Sequence, residues 1–150
     1  MISLFGRAAF RSLLCLSILG AAGLGAAAAH AAELSVMALG IAPGPGAIRV
    51  VLYKGPDGFR HEDRAYQVLS ASARSTAVSV TFHNIPAGQY AILAYHDEND
   101  NKKLDLRFGM FPKEGWGLSN DPKVMGPPSF SASSFDVGAS PIAIKVQMHY

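Results

Sequence analysis

The chain has 150 residues, room for one domain, with 13 Lys and Arg against 11 Asp and Glu. Arg7 and Arg11 account for the excess. Residues 32–150 therefore hold eleven cations and eleven anions, which excludes the strong one-signed overall field that steers a protein onto nucleic acid or an acidic membrane. The one cysteine, Cys15, excludes a disulfide framework, so an ordinary apolar core must hold the fold.

Residues 1–31 read as a Sec-type signal peptide. Arg7 and Arg11 form the basic start, Leu13 to Leu24 the apolar stretch, and Ala29-His30-Ala31 a small-residue cleavage site. About 12 strongly apolar residues, broken by Gly20 and Gly23, are too few to span a ~30 Å hydrocarbon layer comfortably. Leu14 stands before Cys15, where lipidation wants a small residue. The expected product is a periplasmic or secreted chain with no stable membrane span, its residues 32–150 forming a single domain.

That domain reads as short extended runs split by turn residues. Leu34 to Leu39 alternates loosely, and Gly40 to Gly46 turns the chain. Ala47 to Lys54 is rich in β-branched residues and predicts a strand. Lys54 to Gly58 is a turn, His61 to Arg64 a polar loop, and Tyr66 to Ala71 a weak strand. In Thr76 to Phe82 the alternation is strict, with Val78, Val80 and Phe82 on one face. Asn84 to Gly88 turns the chain again. Gln89 to His96 is apolar on both faces, Tyr90, Ile92 and Ala94 on one and Ala91, Leu93 and Tyr95 on the other, which predicts a central strand.

Asp97 to Pro128 follows as one long irregular stretch, and loops of such length are functional or tightly self-packed. Ser129 to Val137 and Pro141 to Tyr150 are expected to close the chain as two strands. No 3.6-residue period occurs after Ala31. The fold class is thus all-β, an antiparallel sandwich of about seven strands, transthyretin-like or immunoglobulin-like in character, with the long loop folded over one end or edge.

Four segments carry a family resemblance. They are Phe82-His83-Asn84-Ile85-Pro86-Ala87-Gly88-Gln89-Tyr90-Ala91, the stretch His96 to Asp105, the stretch Pro112 to Asn120, and Pro127-Pro128-Ser129-Phe130. Together they resemble the DUF2141 family of exported bacterial proteins over roughly Leu34 to Tyr150. The resemblance implies a small exported β-domain and no known reaction. The Phe82–Tyr90 piece is also similar to the strand-joining turn of transthyretin-like and carboxypeptidase-regulatory-like sandwiches. The purine-degrading branch of that group ends in Tyr-Arg-Gly-Ser, whereas this chain ends in Gln147-Met148-His149-Tyr150, which argues against that activity.

The most chemical stretch runs from Asp97 to Asp105. Asp97, Asn99, Asn101 and Asp105 occupy the first, third, fifth and ninth positions of a calcium loop, and the main-chain carbonyl of Lys103 would fill the seventh. Departures stand beside the match: Lys102 replaces the turn glycine, Phe108 the closing Glu, and Lys102 and Lys103 repel a cation. The alternative is a turn in which Asp97, Asn99 and Asn101 bond their own backbone.

Glu114 and Trp116, in Glu114-Gly115-Trp116-Gly117, are candidate ligand contacts, with Trp116 either a stacking platform or a lid on the core. Asp97, Asp105 and Glu114 could form a hydrolytic acid–base pair, but their spacing fixes no separation. Ser119, His96 and Asp97 lack the pattern around an activated serine. His61, His83, His96 and His149 are scattered and, with Met110, Met125 and Met148, make only a weak case for copper. No catalytic residue is assigned.

The reading that results is a non-enzymatic exported binding or interaction module for a small molecule, glycan or protein, not nucleic acid. Ca²⁺ bracing of the acidic loop is the one cofactor in view. The alternatives are a hydrolase using carboxylates of the 97–114 loop, or a carrier of a small apolar ligand near Trp116.

Overall fold

A computed structural model describes residues 31–123 and 126–150. The expected signal peptide lies, but for Ala31, outside the described residues. The fold is all-β. Its longer strands are β1 (Ala32–Leu39), β2 (Ala47–Lys54), β3 (Gln67–Ser72), β4 (Ala77–Ile85), β5 (Gly88–Asp97) and β10 (Ile142–Gln147). Four short ones intervene: β6 (Leu106–Arg107), β7 (Phe111–Pro112), β8 (Trp116–Leu118) and β9 (Phe135–Val137).

Two sheets stack face to face. The first has the order β10-β1-β4, the second β3-β2-β5 with β9 and β8 one after the other along the far edge of β5. Alternation decides which side chains meet between them. From β1 come Leu34, Val36 and Ala38, from β4 Phe82 and Ile85, and from β10 Val146. Against these pack Ile48, Val50 and Leu52 of β2 and Tyr90, Ile92 and Ala94 of β5. The face that the pattern assigns to Tyr90, Ile92 and Ala94 is the inter-sheet one.

The turn between β4 and β5 carries the chain from one sheet to the other. Pro86 offers no N–H to prolong a ladder. The Tyr90 hydroxyl reaches back to donate to the Pro86 carbonyl at 2.9 Å, and Phe82, Ile85 and Tyr90 are all buried. The left-handed backbone in this corner falls on Asn84, at φ 57°, while Gly88 at φ 158° is close to extended.

Four expectations need correction. Among the described residues ten strands form instead of about seven, because the stretch from Asp97 to Pro128 contains the β6–β7 hairpin and β8. The sheets are not wholly antiparallel: β10 pairs with β1 in parallel, Leu34 opposite Ile142. Ser129 to Val137 is not one strand. The Ser129 hydroxyl accepts from Ala132 N and caps a helical turn, α1 (Phe130–Ser133), before β9 begins. Finally, the long excursion meets the second sheet in two ways: β8 adds to its edge beside β5, as the edge placement expects, and Leu104 and Trp116 pack on its outer face, which was not expected. Among the described residues no helix is long and apolar enough to cross a membrane.

Candidate functional site

The second sheet is apolar on its outer face as well, because Val51, Tyr53, Ala91, Leu93 and Tyr95 alternate with the inward set. A second cluster forms there. Phe59, from the turn after β2, stands edge-on to Tyr53 at 5.3 Å and to Phe130 of α1 at 5.7 Å. Leu104 and Trp116, from the long excursion, pack against the same cluster from the other side.

Between these covers a groove of about 820 Å³ stays open. Leu93, Tyr95 and Tyr53 line its floor, and Leu104, Leu106 and Trp116 its wall. His61 and Glu62 edge one rim, Lys102 and Lys103 the other. The volume lies within the range of small-molecule sites, which are mostly apolar with a few placed polar groups.

The polar groups at one end form a linked set. The Tyr95 hydroxyl donates to Glu62 Oε2 at 2.6 Å, Arg49 Nε donates to the Tyr95 oxygen at 3.0 Å, and Arg49 pairs with the Glu62 carboxylate. Arg49 and Glu62 are both partly buried. Loss of water, then the bond to Glu62, pushes the Tyr95 phenol well above its ordinary range. The Glu62 bond raises the Arg49 guanidinium further. Tyr53 differs: its buried hydroxyl has no hydrogen-bond partner among the described residues. Burial, then the charges of Glu62 and Asp63, pushes it far above the ordinary phenol value.

The acidic loop sits at the base of the groove's wall. Asp97 is fully buried. Its Oδ1 accepts from Asn101 N and its Oδ2 from Lys102 N, each at 2.9 Å. Asn99 Oδ1 accepts from Asn101 N, and Asn101 Oδ1 from Lys103 N. The Asn99 and Asn101 amides donate to the two oxygens of Asp105. Glu114 closes the loop, Oε1 accepting from Glu98 N at 3.1 Å and Oε2 from Asp105 N at 2.9 Å. All five proposed calcium positions, Asp97, Asn99, Asn101, Lys103 and Asp105, thus share one tight turn, with Glu114 as its clasp. Among the described residues no three His, Cys, Asp or Glu side chains converge as a metal group.

Trp116 does line the groove; Glu114 does not. The glycines around Trp116 serve close approach. A side chain on Gly117 would collide with the Gln147 carbonyl, and one on Gly115 with the Tyr150 ring. Trp116 and His149 exchange backbone hydrogen bonds at 2.9 and 2.7 Å, so the excursion is stitched to both sheets. The histidines go separate ways. His83 meets Glu33, His149 Nε2 meets Asp121, and buried His96 lies between the Tyr150 hydroxyl and the Pro45 carbonyl. His61 edges the groove.

Sequence reasoning missed Tyr53, Tyr95, Leu93 and Glu62 as site residues. The available signal was the second apolar face of β5, which reads as burial and not as a binding floor.

The pattern of one family, uncharacterized protein conserved in bacteria (DUF2141), matches residues 36–145. No curated protein matches the chain, and no solved structure does.

Proposed function

Since the chain belongs to the DUF2141 family, whose description assigns no reaction, we propose from the site itself that the protein is an exported, non-enzymatic binding module. It takes one small, mainly apolar molecule into the groove beside Trp116. The observation that carries this reading is the open groove over Leu93 and Tyr95 in a domain whose inter-sheet core is already filled. A mostly apolar concavity with a few polar groups at its rim is the usual form of a small-molecule site.

The ligand bears a single hydrogen-bonding group. The Tyr53 hydroxyl, buried and unpartnered on the groove floor, supplies the donor. Burying such a hydroxyl without a partner is unfavourable, and a carbonyl or hydroxyl on the ligand relieves that cost.

The carboxylates that a hydrolase would use favour binding over catalysis. Asp97 and Glu114 accept backbone N–H groups, Asp105 accepts two amides, and none of the three lines the groove. We read the acidic loop as self-braced. Its carboxylates already hold donors, and Lys102 and Lys103 oppose a divalent cation.

Titration with N-phenyl-1-naphthylamine, an apolar fluorophore, tests the groove. The expected result is saturable enhancement with one site per chain. Leu106→Glu, which puts a charge on the half-exposed wall, should weaken it at least about tenfold. Non-saturable enhancement, or equal binding by the variant, would refute the reading. The exported state is checked separately by sequencing the N-terminus of the protein isolated from its host, expected to begin at Ala32.

A further inference from the structure

We propose that the β6–β7 hairpin is a docking tip that seats its apolar turn in the interfacial layer of an anionic bilayer. At the tip, Phe108, Met110 and Phe111 are 85%, 68% and 61% exposed, the most open large apolar side chains among the described residues. They complete neither the inter-sheet core nor the outer cluster; Met110 and Phe111 also line the end of the groove, and Phe108 does not.

The backbone gives an independent reason to see the tip as selected for its side chain. Met110 N donates to the Arg107 carbonyl, closing a turn whose two central residues, Phe108 and Gly109, have φ of 54° and 70°. Two consecutive left-handed residues suit Asn-Gly. A phenylalanine at the first of them is strained, and no packing within the fold rewards it, since Phe108 is the most exposed residue of the set. Its placement makes sense where a partner receives the ring.

Charge identifies the partner. Arg107 and Lys113 flank the tip, exposed Lys102 and Lys103 lie on the same excursion, and residues 106–113 contain no Asp or Glu. The bordering carboxylates, Asp105 and Glu114, are committed to donors inside the loop. The exposed acids Glu98 and Asp100 sit at the base, in the Asp97–Asp105 turn. The balanced total charge therefore conceals a local separation, with a cationic apolar tip on an acidic root. Aromatic residues with flanking cations match an anionic headgroup layer. A protein partner is disfavoured by shape, because a hairpin with two-residue strands presents a point, whereas stable protein interfaces bury on the order of 800 Å² per partner.

The test is co-sedimentation of the purified protein with vesicles of mixed phosphatidylcholine and phosphatidylglycerol, against phosphatidylcholine alone. Binding is expected only to the mixed vesicles, and it should fall with added salt. Phe108→Asn should weaken it at least about tenfold, as should Arg107→Glu with Lys113→Glu, given about fivefold per cation. None of these three positions lines the groove, so naphthylamine binding should persist in each variant and reports that the fold is intact. Asn suits the left-handed position, so Phe108→Asn should melt no lower than the parent. Failure to bind the mixed vesicles overturns the proposal. So does equal binding by Phe108→Asn in the chain that begins at Ala32, which would place the contact elsewhere. Phe108-dependent capture of a soluble protein without vesicle binding overturns it as well.

Discussion

The Tyr95 hydroxyl donates to Glu62 Oε2 at 2.6 Å, fixing the turn that edges the groove to the strand that floors it. Arg49 completes the link by bonding both partners. Losing one member of this partly buried set leaves the others without a bonding partner, which costs stability.

Tyr95→Phe should therefore lower stability by about 1.5–3 kcal/mol, the range for a hydrogen bond to a charged group. Glu62→Gln should cost a similar amount, and the double variant clearly less than the sum. Urea unfolding of the four proteins checks the cycle. Additive losses would mean that the two side chains act independently.

Tyr53→Phe should behave oppositely, although the same atom is removed from the same sheet face. The Tyr53 hydroxyl has no partner among the described residues, so its loss should be neutral or stabilising by up to about 1 kcal/mol. Affinity should fall for naphthols, which offer the hydroxyl a partner, and hold for naphthalene. A loss of stability beyond about 1 kcal/mol would show that the hydroxyl is already bonded.

Alkaline pH should unfold the protein through these phenols. Tyr53 and Tyr95 hold their protons more tightly in the folded chain than the ordinary value of 10.0, both mainly through burial. A raised folded value gives stability that is complete below the unfolded value and is lost as pH rises past it. The urea midpoint should hold up to about pH 10 and then fall. Phenolate absorbance should rise in step with loss of structure. Smooth titration of every tyrosine in a still-folded chain would contradict the burial argument.

The acidic loop supplies another contrast. Asp97→Ala leaves the backbone N–H groups of Asn101 and Lys102 without their acceptor and should cost about 2 kcal/mol. Millimolar Ca²⁺ should leave the parent's melting temperature unchanged. A rise would mean that the cation binds the native state, and the self-braced reading would then give way to a calcium-braced one.

Strand patterning made most of the sandwich legible. Val78, Val80 and Phe82 alternate strictly, and the two faces of Gln89 to His96 were assignable because a strand has a period of two. The parallel pairing of β10 was hidden, since alternation in Ile142 to Val146 says which face is buried but not which neighbour runs alongside. The helical turn at Phe130 was missed because one capped turn is too short to display a 3.6-residue period. In the acidic loop the spacing grouped Asp97, Asn99, Asn101 and Asp105, which share one turn, but it could not decide whether their oxygens face a cation or the backbone. The groove was least legible. Tyr53 and Tyr95 meet through the pairing of β2 with β5, Glu62 joins them through its bond to Tyr95, and the excursion brings Trp116 alongside, none of which single-strand patterning displays.

Chemical-shift mapping of the ¹⁵N-labelled protein on adding N-phenyl-1-naphthylamine tests the groove most directly. The account predicts perturbations at Leu93, Tyr95, Leu104 and the Trp116 indole, with the inter-sheet residues Leu34, Val36 and Ile92 unmoved. Shifts centred between the sheets, or none under saturating probe, would contradict it.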